Sequence, residues 1–159
     1  MPDLSELVDY KKTIGQWLYS DRGFVDLVTN TTTMTLPARS LVNDQLWYYD
    51  YIDETVQDAK CYVCLEIDDS TVRTPAVGDF VLLIWIIVPK SLMDMQGNIR
   101  RDAIASRIDT LLNGSSGTWF GEIKKLPSQR FSPNASFRGR LLKYSVQGWN
   151  RHGETLAEH

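Results

Sequence analysis

Histidine is nearly missing. The 159 residues contain two, His152 and His159, both in a polar C-terminal stretch. Because histidine is the commonest general acid–base group, most Ser-His and Cys-His nucleophile schemes are excluded. Cysteine is equally scarce, with Cys61 and Cys64 spaced Cys-x-x-Cys. A redox or metal reading needs a helix N-terminus or a second ligand pair. The pair lies instead in Cys61-Tyr-Val-Cys-Leu-Glu-Ile67, which reads as a strand. Side chains three apart on a strand point to opposite faces, so both thiols are expected in the core, sharing neither metal nor disulfide.

Other signals are lacking too. No apolar run approaches the ~20 residues of a membrane-spanning helix. Residues 1–20 carry Asp3, Glu6, Asp9, Lys11 and Lys12 where the apolar region of a signal peptide would lie. A cytosolic product is expected, which makes the sequons at Asn30, Asn113 and Asn134 chance matches. No phosphate-binding or dinucleotide glycine motif follows a strand. Asn113-Gly-Ser-Ser-Gly117 follows a helix instead of opening one, so it reads as a connector. The net charge of −3 gives no global pull towards nucleic acid or anionic membrane. Asp68-Asp69 is a candidate cation site, but hard cations want six or more oxygens, so a solvated hairpin-tip pair is the expectation. No cofactor or metal is expected.

What is present is Phe80–Val88, nine consecutive apolar residues closed by Pro89. Its β-branched content predicts a central strand apolar on both faces. Such a strand needs a cover on each side. The chain's own helices can supply one; the other falls to more of this chain or to another subunit.

The remaining pattern predicts an α+β fold, a mainly antiparallel sheet of about four strands with helices packed on one face. One domain is expected over 1–150, with 151–159 a frayed polar tail. Helical periodicity covers 3–19, and a short helix or turn follows at Phe24–Val28 after the break Ser20–Gly23. Thr29–Thr35 suits an edge strand or extended arm, and 41–59 resists assignment. Cys61–Ile67 and Phe80–Val88 pair as a hairpin with a long polar tip, Asp68–Asp79. Pro89–Asn98 reads as a loop. Ile99–Leu112 reads as a helix capped by Asn98, with Arg100, Arg101, Arg107 and Asp109 away from its apolar face and Asn113-Gly114 ending it. Trp119–Ile123 suits a short strand, and 124–138, with Pro127 and Pro133, a loop or arm. Arg140–Trp149 alternates as a half-buried strand, with Leu142, Tyr144 and Val146 on one face.

Charge is segregated. Residues 44–69 hold Asp44, Asp50, Asp53, Glu54, Asp58, Glu66, Asp68 and Asp69 against Lys60, net −7. Residues 121–151 hold Lys124, Lys125, Arg130, Arg138, Arg140, Lys143 and Arg151 against Glu122, net +6. Either these are two solvated faces, or the acidic surface of one copy meets the basic surface of the next. The second contact is heterologous and makes a ring if its rotation closes. The candidate interface is therefore Asp50, Asp53, Glu54, Asp58, Asp68, Asp69, Lys124, Lys125, Arg130, Arg138, Arg140 and Lys143. An alternative is an enzyme or ligand pocket at Trp47–Tyr51, with Asp50, Asp53 and Glu54 as glycosidase-like carboxylates. A third is nucleic-acid binding through 124–143, with Phe131 and Phe137 for stacking.

The element order resembles a known group. A Leu-Val-x-x-x-x-x-Ile helix leads through an acidic, aromatic connector to Phe-Val-Leu-Leu-Ile-Trp-Ile-Ile-Val-Pro. Then come the helix Arg-Arg-Asp-Ala-Ile-Ala-Ser-Arg-Ile-Asp-Thr-Leu-Leu-Asn-Gly and a last strand Gly-Arg-Leu-Leu-Lys-Tyr-Ser-Val-Gln-Gly-Trp. This resembles the tail-terminator and neck (tail-completion) proteins of long-tailed bacteriophages over roughly residues 4–149. The resemblance implies a non-enzymatic assembly protein, a hexameric ring that caps the tail tube and docks to the head connector. It further implies tail-tube and head-connector partners, DNA contact restricted to a ring lumen, and passage from host cytoplasm to virion. Loops 89–98 and 124–138 would reach neighbouring subunits, while the long 29–60 connector departs from the pattern.

Overall fold

The apolar run lies at the middle of a five-stranded sheet in the computed structural model, which describes residues 4–49, 59–72, 77–116 and 120–149. Two helices come first, α1 (Leu4–Tyr19) and α2 (Arg22–Thr29), then a 3-10 turn at Arg39–Leu41. The strands β1 (Leu46–Trp47), β2 (Tyr62–Val72) and β3 (Val77–Pro89) follow. A short helix α3 (Lys90–Met93) and a small hairpin, β4 (Asp94–Met95) with β5 (Asn98–Ile99), lead into α4 (Arg100–Leu112). The chain ends in β6 (Phe120–Phe131) and β7 (Phe137–Trp149). Strand order is β1-β2-β3-β7-β6, antiparallel throughout except for the parallel β1–β2 pair.

All the larger helices pack on one face. Leu82, Ile84, Ile86 and Val88 of β3 meet Ile14 and Leu18 of α1, Phe24 and Val28 of α2, and Ile104, Ile108 and Leu112 of α4 in one buried cluster. Leu142, Tyr144 and Val146 of β7 join it, as their alternation predicts. Tyr10 stacks on Phe80, with ring centroids 5.5 Å apart. The opposite face carries Val81, Leu83 and Trp85, all half-buried. No helix covers them among the described residues. Toward the C-terminal end of β3 on that face, Tyr62, Ile87 and Phe137 form a second, smaller cluster with Trp47 and Phe131.

Several boundaries differ from the sequence reading. The β2–β3 hairpin continues through Asp68 and Asp69, pairing them with Val81 and Phe80. Those acids are strand residues, with Asp68 exposed. The stretch 124–138 is neither loop nor arm but most of β6, its turn and the start of β7. Pro127 hid this strand, and it is tolerated because β6 is an edge and the register slips between Leu126 and Gln129. Pro89–Asn98 holds α3 and the β4–β5 hairpin, turned at Gly97 with φ 78°. Thr31–Thr35 takes the arm form, not a strand. Arg22 and Gly23 belong to α2 instead of breaking the chain. Ile99, not Asn98, caps α4, while Asn98 Oδ1 accepts from the Ile99 amide at 2.8 Å.

Polar side chains join the helical layer. Asp21 caps α2, accepting from the Phe24 amide at 2.8 Å, and takes both Arg107 Nε and Nη2, at 2.8 and 2.6 Å. The Arg107 guanidinium holds the Asp21 carboxyl below its ordinary value. A lowered folded value means stability present above the unfolded value of about 3.9 and lost as pH falls through the folded one. Asp21→Ala is therefore expected to cost about 1–2 kcal/mol at neutral pH, with the deficit shrinking in acid. Urea melts at pH 7 and pH 3 check this.

Gly15 faces a tighter constraint than helix propensity. A Cβ there would lie 2.5 Å from Cε1 and Oη of Tyr48. Gly15→Ala, which gains about 1 kcal/mol in an open helix, is expected to destabilise here by about 1–3 kcal/mol through overpacking. Thermal melts of Gly15→Ala in the parent and in a Tyr48→Ala background separate the two terms, since removing the ring restores the gain.

Candidate functional site

The strand order sets where the two charged segments lie. β2, bearing Glu66 and Asp68, and β6, bearing Lys124, Lys125 and Arg130, have β3 and β7 between them. Three strand spacings put their axes roughly 14 Å apart. Opposite charge thus occupies opposite sides of one sheet, as a head-to-tail contact requires.

The acidic side is more neutralised than its composition suggests. Lys11 of α1 crosses to it, donating from Nζ to Glu66 Oε1 at 2.9 Å and to the Tyr48 carbonyl at 2.7 Å. Lys60 pairs with Asp44. Asp68 is exposed, and Asp69 is its neighbour on the strand. Asp50, Asp53, Glu54 and Asp58 lie outside the described residues, so their contribution rests on sequence.

The basic side divides between the two faces of the sheet. Lys143 and Lys124 follow the outward parity of Ser145, while Arg138 and Arg140 share the helix-facing parity of Leu142 and Tyr144. Arg130 lies opposite Arg140, and Lys125 opposite Tyr144. Arg140 approaches Asp102 at 3.5 Å and donates from Nη1 to Ser128 Oγ at 3.2 Å. Arg138 donates from Nη1 to the Phe137 carbonyl at 2.9 Å. The segment that composition presents as one basic patch is two. Arg101, which the sequence gives no role, belongs with the helix-side group through the same carboxylate, bonding Asp102 at 3.1 Å. Only the register of β6 against β7 reveals this.

The aromatic segment does not converge. Trp47 packs with the outer-face cluster and donates from Nε1 to the Asp44 carbonyl at 3.2 Å. Tyr48 packs against the helix-side core, where burial pushes its hydroxyl above the ordinary value. Tyr49 is 44% exposed and lies 5.4 Å from Trp47, centroid to centroid. Trp47 and Tyr48 therefore do not wall a common pocket; Tyr51 and the carboxylates Asp50, Asp53 and Glu54 of the ligand-pocket alternative lie outside the described residues.

Cys61 and Cys64 sit on opposite faces, as the strand parity requires. Cys61 is in the helix-side core, and Cys64 is paired with Trp85 beyond it. Neither forms a disulfide and both are buried, and burial pushes the Cys61 thiol up to about 12. Tyr144, buried, donates to Asp109 Oδ1 at 2.8 Å and is likewise raised, by desolvation first and that carboxylate second. Among the described residues no three His, Cys, Asp or Glu side chains come together as a metal would require. No helix among them is long and apolar enough to cross a membrane.

A family model described as YomW matches residues 7–146. No curated protein matches by sequence. Among solved structures, a chain from the virion of a native gene transfer agent particle shares the fold. The TM-score is 0.59 and the identity 16%, over 87% of this chain and 93% of that one.

Proposed function

The chain belongs to the YomW family, and on that footing we propose that it is a non-enzymatic structural protein of a phage-type particle. Within such a particle it acts as a tail terminator or neck component. Copies join head to tail into a ring, six in the resembling proteins, that closes the tail tube and meets the head. The observation that carries this reading is the fold shared, nearly end to end, with a chain of a virion.

The physics of the contact supports it. A basic β6–β7 side and an acidic β2 side on one rigid sheet give a heterologous pair of surfaces, and a heterologous contact with a closing rotation is a ring. The charges set who sits next to whom and speed the encounter more than they add affinity. Asp68 and Asp69 and the bases of β6 and β7 sit on paired strands of one sheet, so that part of the contact needs little ordering on assembly.

Size-exclusion chromatography with light scattering, run on the chain alone and again with purified tail tubes, tests this. The expected result is a discrete oligomer, or a monomer that becomes a stoichiometric oligomer when tubes are added. A chain that stays monomeric and leaves the tubes unbound contradicts the proposal.

A further inference from the structure

Four arginines gather at one end of the helix-facing side of the sheet. Along β7 the positions that hold Val146, Tyr144 and Leu142 in the core continue to Arg140 and Arg138. The register then sets Arg130 of β6 directly opposite Arg140. α4 adds Arg101 from its first turn. Arg101, Arg130 and Arg138 line an open cleft of about 640 Å³ with Met93, Phe131 and Ser132.

The cations there outnumber the acids. Asp102, next to Arg101 on α4, is shared between Arg101 and Arg140. Arg138 makes hydrogen bonds to the carbonyls of Phe137 and Ala135. Arg130 is exposed and has no ion pair among the described residues. Like charges directly opposite on neighbouring strands repel, and Asp102, 3.5 Å from Arg140, offsets them only in part. The lysines differ. Lys124 shares its groove with Asp79 and Glu122, and Lys125 shares its own with Asp102 and Asp109.

We propose that this cleft is a socket for a carboxylate-rich segment of a second copy, the stretch 50–58. That stretch holds Asp50, Asp53, Glu54 and Asp58 and no base. Planar guanidinium forks match carboxylates bidentately, a geometry lysine does not offer. The inference rests on the head-to-tail reading and narrows it. The basic half of the contact is the helix-side arginines, Arg101 included, and not the outward lysines Lys124 and Lys143.

The test is fluorescence polarisation of a labelled peptide of residues 50–58 titrated into the full chain, with circular dichroism confirming that each variant is folded. Binding is expected to saturate and to weaken with salt. Arg130→Gln with Arg138→Gln should weaken it about tenfold or more, whereas Lys124→Gln with Lys143→Gln should change it by less than about twofold. A peptide with its four acids replaced by amides should not bind, an arm that needs no protein variant at all. Equal binding by the arginine variant, equal loss in the lysine variant, or tighter binding of a DNA oligonucleotide through the same arginines overturns the proposal. If the peptide fails while copies still form rings, the socket is wrong and the head-to-tail reading stands. If the peptide binds while no ring forms with or without tubes, the reading fails and the socket stands.

Discussion

Replacing Arg100 with methionine is expected to lower stability by about 2–4 kcal/mol, a fall in Tm of about 4–16 °C for a chain of this size. Arg100 is 8% exposed, and its bonds go to three acceptors on two other elements. Nε donates to the Leu92 carbonyl at 2.8 Å, Nη1 to the Leu27 carbonyl at 2.8 Å, and Nη2 to Asn30 Oδ1 at 2.9 Å. One guanidinium thus ties α4 to the end of α2 and to α3. A buried ion pair is sometimes replaced by apolar residues without loss, because both charges leave together. Here the main acceptors are backbone carbonyls, which no side-chain substitution removes, so methionine fills the volume and strands them. Arg100→Lys is expected to recover less than half the loss, since one ammonium cannot span three acceptors on two elements. Differential scanning fluorimetry of both variants measures this, and a methionine variant as stable as the parent would show the bonds to be incidental.

Charge reversal at either pole is expected to abolish self-association. Arg130→Glu with Arg138→Glu takes residues 121–151 from +6 to +2 and turns the arginine pair acidic; Asp53→Lys with Asp68→Lys takes residues 44–69 from −7 to −3. Like-charge juxtaposition across an interface costs several kcal/mol, and ~2.7 kcal/mol already weakens association about 100-fold. Each variant alone should therefore stay monomeric under conditions where the parent assembles. An equimolar mixture should assemble again, because around an even-numbered ring the two variants can alternate so that unaltered poles meet each other and the introduced glutamates meet the introduced lysines. Native mass spectrometry reads the outcome directly, with the two variants distinguishable by mass. Assembly by either variant alone, or none in the mixture, would remove charge as the determinant of the contact.

Much of the architecture is legible in the sequence, and the reasons are local. Phe80–Val88 reveals a central strand by its unbroken apolar run, and Arg140–Trp149 reveals its neighbour by alternation. The helix ending at Asn113-Gly114 carries its own stop, and Gly114 takes φ 86°. What stays hidden depends on partners distant in the chain. Pro127 reads as a breaker until the edge position of β6 and its register slip accommodate it. Arg100 reads as solvent-facing because the carbonyls that receive it lie as far back as Leu27. β1 is two residues long and pairs in parallel, which no turn signal announces. The charged segments are plain in composition and the alternation of β7 already parts Arg140 from Lys143, but the faces taken by Lys124, Lys125 and Arg130 follow from the β6–β7 register, and the role of Lys11 at Glu66 follows from α1 crossing β2.

The most direct test of the central claim, that this protein works by packing against copies of itself and against other virion proteins, is cryo-electron microscopy of tail tubes incubated with the full chain. A closed ring of copies on one end of each tube, with β2 of one copy beside the β6–β7 hairpin of the next, is the predicted image. Bare tube ends beside free monomers, or a ring whose neighbours meet through surfaces other than these two, would contradict it.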